Sequence, residues 1–188
     1  MTATNVIIEA DGGSRGNPGP AGFGALIRDA DSGEVIAEAA ESIGRATNNV
    51  AEYSGLVAGL ELAGKVAPDA EIEVRMDSKL VIEQMAGRWK IKHPDMRPLA
   101  IKAQSLAPFG TLWTWVPRAQ NQAADRLANL AMDRGMGRSP APNGDSPARP
   151  SRPEPPKVLK GYTKGGVVHL IEGELPDGVF VKITVDRQ

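Results

Sequence analysis

The feature that most limits how this chain can fold is a change of hydrophobic period at Thr47. Upstream, Asn5–Asp11, Phe23–Arg28 and Glu34–Ala40 are short apolar stretches bounded by Gly, Pro, Asp and Ser, the composition of strands joined by turns. The first, centred on Val6, Ile7 and Ile8, runs into DGGSRGNPGP, which predicts a loop after Asp11. The other two meet at Asp29-Ala30-Asp31-Ser32-Gly33, so the three strands read as a meander. From Thr47 on, Val50, Tyr53, Leu56, Val57, Leu60, Leu62 and Ala63 recur at helical spacing until Gly64 and Pro68 end the stripe.

Alternation returns over Glu71–Met76, a strand, and Asp77-Ser78 then stands as the N-cap of a helix holding Leu80, Val81, Ile82 and Met85. A basic connector, Arg88 to Pro94, leads to a helix over Asp95–Leu106. Thr111–Val116 is the last strand of this region, Pro117 breaks it, and a helix runs from Ala119 or Gln120 to Met132. The order βββαβααβα describes an α/β fold with a mixed five-stranded sheet covered by helices. Hydrophobic residues make up 41% of the 188, enough for a core of that size.

Past Gly135 the composition shifts, and seven of the 15 prolines fall between Pro140 and Pro156. The expected organisation is a main folded domain over 1–136, a Pro-rich flexible linker over 137–156 and a small β-rich segment over 157–188. In that last segment Gly166–Ile171 and Val179–Val185 read as strands, too few to be stable alone, so self-association or a protein contact is expected of it. The N-terminus lacks a signal-peptide pattern and no apolar run approaches the roughly 18 residues that span a bilayer. A cytoplasmic protein with no membrane partner is expected.

Net charge is −1, but it is unevenly spread: residues 1–74 carry four basic and twelve acidic residues, residues 75–118 eight and three. A basic middle can bind a polyanion whatever the total. With no cysteine there is no disulfide, thiolate zinc site or cysteine nucleophile, and a metal would have to be held by oxygen or by two histidines.

Taken singly, Asp11 reads as a turn former, Glu52 as a first-turn helix residue, Asp77 as an N-cap and Asp125 as a solvated helix position. Taken together, Asp11 and Asp77 fall at the carboxyl ends of two strands, where α/β sheets place ligands, and Glu52 and Asp125 can complete a cluster above that edge. Such a cage is repulsive unless cations fill it, and hard oxygen donors select Mg²⁺ or Mn²⁺. Two such ions, about 3.5–4 Å apart, are the usual apparatus for in-line displacement at a phosphodiester. Around them Gly12, Gly13 and Gly16 let a backbone come close, while Asn17, Thr47, Asn48 and Asn49 offer neutral donors and acceptors to sugars and phosphates. Lys79, Arg88, Lys90 and Lys92 supply cationic contacts.

The runs DGGSRGNPGPAGFGALI from Asp11, TNNVAEYSGLVAGLELA from Thr47, VRMDSKLVIEQMAG from Val74 and WVPRAQNQAADRLANLA from Trp115 resemble ribonuclease H type 1, over about Asn5 to Arg134. The resemblance implies an RNase H-like fold with strand order 3-2-1-4-5 and endonucleolytic cleavage of the RNA strand of RNA/DNA hybrids with two Mg²⁺, leaving 5′-phosphate and 3′-hydroxyl ends. It implies that Asp11, Glu52, Asp77 and Asp125 are the catalytic, metal-binding quartet, with Asp11 bridging the ions. Asn17 and Thr47 match contacts to a phosphate of the DNA strand, Asn49 a contact near Glu52, and Gly12, Gly13 and Ser14 a loop approaching the RNA backbone.

The chain departs from many bacterial members, which carry a loop histidine after the last strand; Arg118 stands in that loop here and cannot act as a base. It is expected to steady product phosphate, unless the metal site suffices alone. The short connector is similar to that of the compact archaeal-type subgroup, and Lys79 replaces a glutamine that contacts RNA, which brings double-stranded RNA into view as a second substrate. Trp113 and Trp115 are expected to pack in the core and on the sheet face, and Trp89 to pack against a DNA sugar or the core. A hybrid-binding module without cleavage, or another nuclease of the same fold, are the rival readings.

Overall fold

The computed structural model describes residues 4–137, 161–164 and 167–170. The chain divides into two units, Met1–Ser146 and Pro147–Gln188. In the first, β1 (Asn5–Ser14), β2 (Gly19–Asp29) and β3 (Val35–Ala46) form the expected antiparallel meander, and β4 (Glu71–Met76) and β5 (Leu112–Trp115) add in parallel. The sheet order is β3-β2-β1-β4-β5, as the resemblance implies.

Four helices cover it: α1 (Asn48–Val66), α2 (Lys79–Met85), α3 (Met96–Leu106) and α4 (Gln122–Gly135). α1 starts where expected, with Thr47 as N-cap accepting the Val50 amide. Its apolar stripe, Tyr53, Leu56, Val57, Leu60 and Ala63, packs with Val6, Ile8, Val74 and Met76 of the sheet and with Val81, Ile82, Ala100 and Ala103 of α2 and α3. Burying each of the larger side chains contributes about 1.5–3 kcal/mol, so this face anchors the fold. α4 lies on the other face, its buried Ala124, Ala128, Ala131 and Met132 set against β1, β2 and β3.

The sequence reading is corrected in four places. β1 does not end in a loop after Asp11: Asp11, Gly12, Gly13 and Ser14 pair with Gly24, Phe23, Gly22 and Ala21. Cross-strand pairing overrides the local turn preference of the glycines, and Gly12 and, across the sheet, Gly24 leave room for helices that come close on opposite faces. A Cβ on Gly12 would stand 2.1 Å from the Ala51 carbonyl carbon of α1, and one on Gly24 would stand 2.3 Å from Leu127 Cβ of α4. β3 runs on to Ala46, six residues past its expected end at Ala40. The cap of α2 is Ser78, leaving Asp77 free of that duty. Finally, Arg118–Gln120 is a 3₁₀ turn, and α4 begins only at Gln122.

In the second unit β6 (Gly161–Lys164) and β7 (Val167–Leu170) form an antiparallel pair. β7 lies within the strand expected over Gly166–Ile171, whereas β6 was not expected. The Pro-rich stretch from 138 on and the strand expected over Val179–Val185 lie outside the described residues. Among those described, no helix is long and apolar enough to cross a membrane.

Candidate active site

The parallel register of β1 with β4 runs to Glu9 opposite Arg75, so Asp11 and Asp77 stand level with each other, each two residues further along. The missing Cβ of Gly12 brings β1 against the Ala51–Glu52 peptide, where a Cβ would lie 2.3 Å from Glu52 N. Glu52 is therefore delivered next to Asp11 by strand–helix packing. Directly opposed residues of an antiparallel pair share a face, so Asp11 lies with its partner Gly24 on the side covered by α4, next to the turn that carries Asp125. Asp11 is only 2% exposed.

The carboxylates are met by protein donors. Glu52 Oε1 accepts from Asn48 Nδ2 at 2.9 Å and Oε2 from Ser78 Oγ at 2.6 Å. Asp77 Oδ1 accepts from Asn121 Nδ2 at 2.9 Å, and the other proton of that amide goes to the Ala10 carbonyl. Asp125 is paired through Oδ1 with Arg118 and through Oδ2 with Asn129 Nδ2 at 3.0 Å. Arg15, just past β1, reaches over to Asn129 Oδ1 and Asp133. With these partners in place, no three His, Cys, Asp and Glu side chains among the described residues are arranged to hold a metal ion.

The backbone thus brings all four carboxylates to one end of the sheet, while the side chains of Glu52, Asp77 and Asp125 turn to neutral donors and one cation. The donor chemistry nonetheless fits hard cations. The oxygens come from four elements, and Asn121 Oδ1, on a side chain 1% exposed, is a buried acceptor with no hydrogen-bond partner. Burial, with the adjacent Glu52 charge, pushes the Tyr53 phenol up to about 12, so it stays a donor.

The neutral groups gather at the start of α1. Asn17 Oδ1 accepts the Asn48 amide at 3.1 Å, tying the β1–β2 turn to that helix, and Asn49 lies half-buried in its first turn. Gly12, Gly13 and Ser14 are buried in β1, which gives Gly12 a packing role independent of any substrate. Lys79 opens α2, and Lys90 and Arg118 are exposed. Trp113 packs on the core as expected, but Trp115 is 48% exposed and donates its indole N–H to the Asp77 carbonyl at 3.1 Å. Ser78, Asn121 and Asn129 were missed as site residues. The available signal was their spacing from Asp77 and Asp125, but it could not say toward which carboxylate each amide or hydroxyl turns.

The family model described as Reverse transcriptase-like matches residues 9–131. Bifunctional protein Rv2228c of Mycobacterium tuberculosis is 62% identical over 130 residues, 68% of this chain and 35% of that protein, so the chain spans about a third of that relative's length. Ribonuclease HI of Halobacterium salinarum is 48% identical over 125 residues, 65% of this chain and 62% of that one. The solved structure of LC11-RNase H1 in complex with an RNA/DNA hybrid is 39% identical with a TM-score of 0.67, covering 70% of this chain and 99% of that one. With the strand order and the family match in agreement, the chain belongs to the ribonuclease H family, type 1.

Proposed function

We propose that the chain is a metal-dependent endoribonuclease that hydrolyses the RNA strand of RNA/DNA hybrids, with two Mg²⁺ or, in their place, Mn²⁺, leaving 5′-phosphate and 3′-hydroxyl ends. The observation that carries this reading is the register of the parallel strands β1 and β4, which puts Asp11 and, one residue past the end of β4, Asp77 level with each other, with Glu52 and Asp125 brought in by α1 and α4. That LC11-RNase H1 was solved with a hybrid supports the same ligand class here.

Asp11, Glu52, Asp77 and Asp125 would hold the ions, which when bound supply charge neutralisation at the scissile phosphate and an activated water. The protein's own groups do the rest. Asn121 keeps Asp77 turned toward β1, and Ser78 and Asn48 hold the Glu52 carboxylate. Arg118 supplies Asp125 with a counter-charge when no cation is present, and its release from Asp125 frees a guanidinium for phosphate. Asn17, Thr47 and Asn49 stand together to receive a phosphate of the DNA strand, and Lys79, Lys90 and Lys92 add positive field.

Asp77→Asn keeps the shape of the side chain and removes its charge. It should abolish cleavage while hybrid binding survives; full cleavage by this variant would overturn the assignment.

A further inference from the structure

One residue beyond Glu52 on α1, Tyr53 is wholly buried. Its hydroxyl donates to Gln84 Oε1 of α2 over 2.8 Å, and Gln84 Nε2 donates to the main-chain carbonyl of Lys90 over 3.1 Å. Gln84 is itself buried, at 6% exposure. A buried amide is costly unless it is satisfied. Here its oxygen is used toward the helix of Glu52 and its nitrogen toward the basic connector.

The connector has few other anchors. Residues 90–93 form neither helix nor strand; Lys90 and Lys92 are exposed, while Ile91 between them packs against the core. The connector's root is fixed where Gly87 turns with φ +75° and the Glu83 carbonyl accepts from both Arg88 N and Trp89 N. Beyond that clamp, the Lys90 carbonyl is the point at which the cationic segment is tied to the chain of bonds that begins beside Glu52.

We propose that the Tyr53–Gln84–Lys90 relay is a positioning device for substrate. It sets where the connector stands relative to α1, and so how the nucleic-acid strand met by Lys90 and Lys92 is presented to the carboxylates. This rests on the hybrid reading above. Breaking the relay leaves every carboxylate and every cationic side chain in the chain but lets the connector drift, so substrate capture suffers and the chemical step does not.

The test uses the full chain with Gln84→Met, which removes both bonds and fills the space, and Tyr53→Phe, which keeps the Gln84–Lys90 bond. Three quantities are measured: amide hydrogen exchange at residues 88–92 without nucleic acid, KM and kcat on an RNA/DNA hybrid with Mg²⁺, and the salt dependence of hybrid affinity. Gln84→Met should speed connector exchange about tenfold with β1 and β4 amides unchanged, raise KM about three- to tenfold with kcat within about twofold, and reduce the salt slope by about one. Tyr53→Phe should give a smaller change of the same kind, and it carries the test alone if Gln84→Met does not fold. Unchanged connector exchange in a folded variant overturns the proposal, as does a fall in kcat at constant KM. If the wild-type chain neither binds nor cuts hybrid, the hybrid reading fails and, with it, the substrate half of this proposal; the exchange measurement still decides whether the relay anchors the connector.

Discussion

Ser78 Oγ lies 2.6 Å from Glu52 Oε2 and accepts the Val81 amide with the same oxygen, so the cap of α2 and a carboxylate of α1 share one hydroxyl. The two roles are compatible because a hydroxyl donates once and accepts twice. Glu52 is thereby oriented by the chain segment that also carries Asp77.

Ser78→Ala removes cap and orienting donor together. The lost cap should cost about 1 kcal/mol of stability, read from denaturant unfolding. The lost hydrogen bond to a charged group should lower hybrid cleavage roughly tenfold. Stability loss with no change in cleavage would make Ser78 a cap and nothing more.

Gly12→Ala should destabilise by about 3 kcal/mol, because the new Cβ meets helix backbone at 2.1 Å and backbone cannot yield as a side-chain tip can. Gly64→Ala, in α1 with nothing within 4 Å of its Cβ position, should stabilise by about 0.5–1 kcal/mol. Thermal or denaturant unfolding of the two variants checks both signs.

What the sequence made legible follows from period. The α1 stripe and the alternation at Glu71–Met76 each carry a repeat that only one element satisfies, and with the apolar run Val6-Ile7-Ile8 before its glycines they led to the right element order. The errors fall where tertiary contact overrules local preference. Gly12 and Gly13 look like turn formers and are strand residues, and at Gly12 an approaching helix leaves no room for a side chain. Arg118–Gln120 has helical composition, yet the chain stays in a 3₁₀ turn there, and Asn121, whose Nδ2 donates to Ala10 and Asp77, makes no side-chain cap to α4. The four carboxylates were visible as residues; their hydrogen-bond partners, and the exposure of Trp115 beside Asp77, depend on side-chain directions that no spacing specifies.

Acid stability should register Glu73. The Arg75 guanidinium that hydrogen-bonds it, aided by the Thr114 hydroxyl, holds its carboxyl below the ordinary 4.5 against the opposing effect of burial. A depressed folded-state value means stability that is present above the unfolded value and lost as pH falls through the folded one. In Thr114→Val, Glu73 should titrate closer to 4.5, so the part of the stability that depends on its ionisation, and is lost as pH falls, should shrink; NMR titration of Glu73 with unfolding from pH 6 to 3 checks this.

On the proposed reading divalent cation binds the folded carboxylate cluster and not the unfolded chain, so it should stabilise the fold. At about a hundredfold excess over Kd, linkage gives roughly 2.7 kcal/mol, visible as a rise in Tm with Mg²⁺ that chelator reverses. Asp11→Asn should remove most of that rise, and an equal rise in the variant would place the ion elsewhere.

The central claim is tested most directly by offering the purified chain end-labelled RNA/DNA hybrid, double-stranded RNA, single-stranded RNA and double-stranded DNA in parallel, with Mg²⁺ and then with chelator. The account predicts cutting of the hybrid's RNA strand with Mg²⁺, products bearing 5′-phosphates, and none with chelator. Hybrid that is bound but left intact under both Mg²⁺ and Mn²⁺ would contradict it.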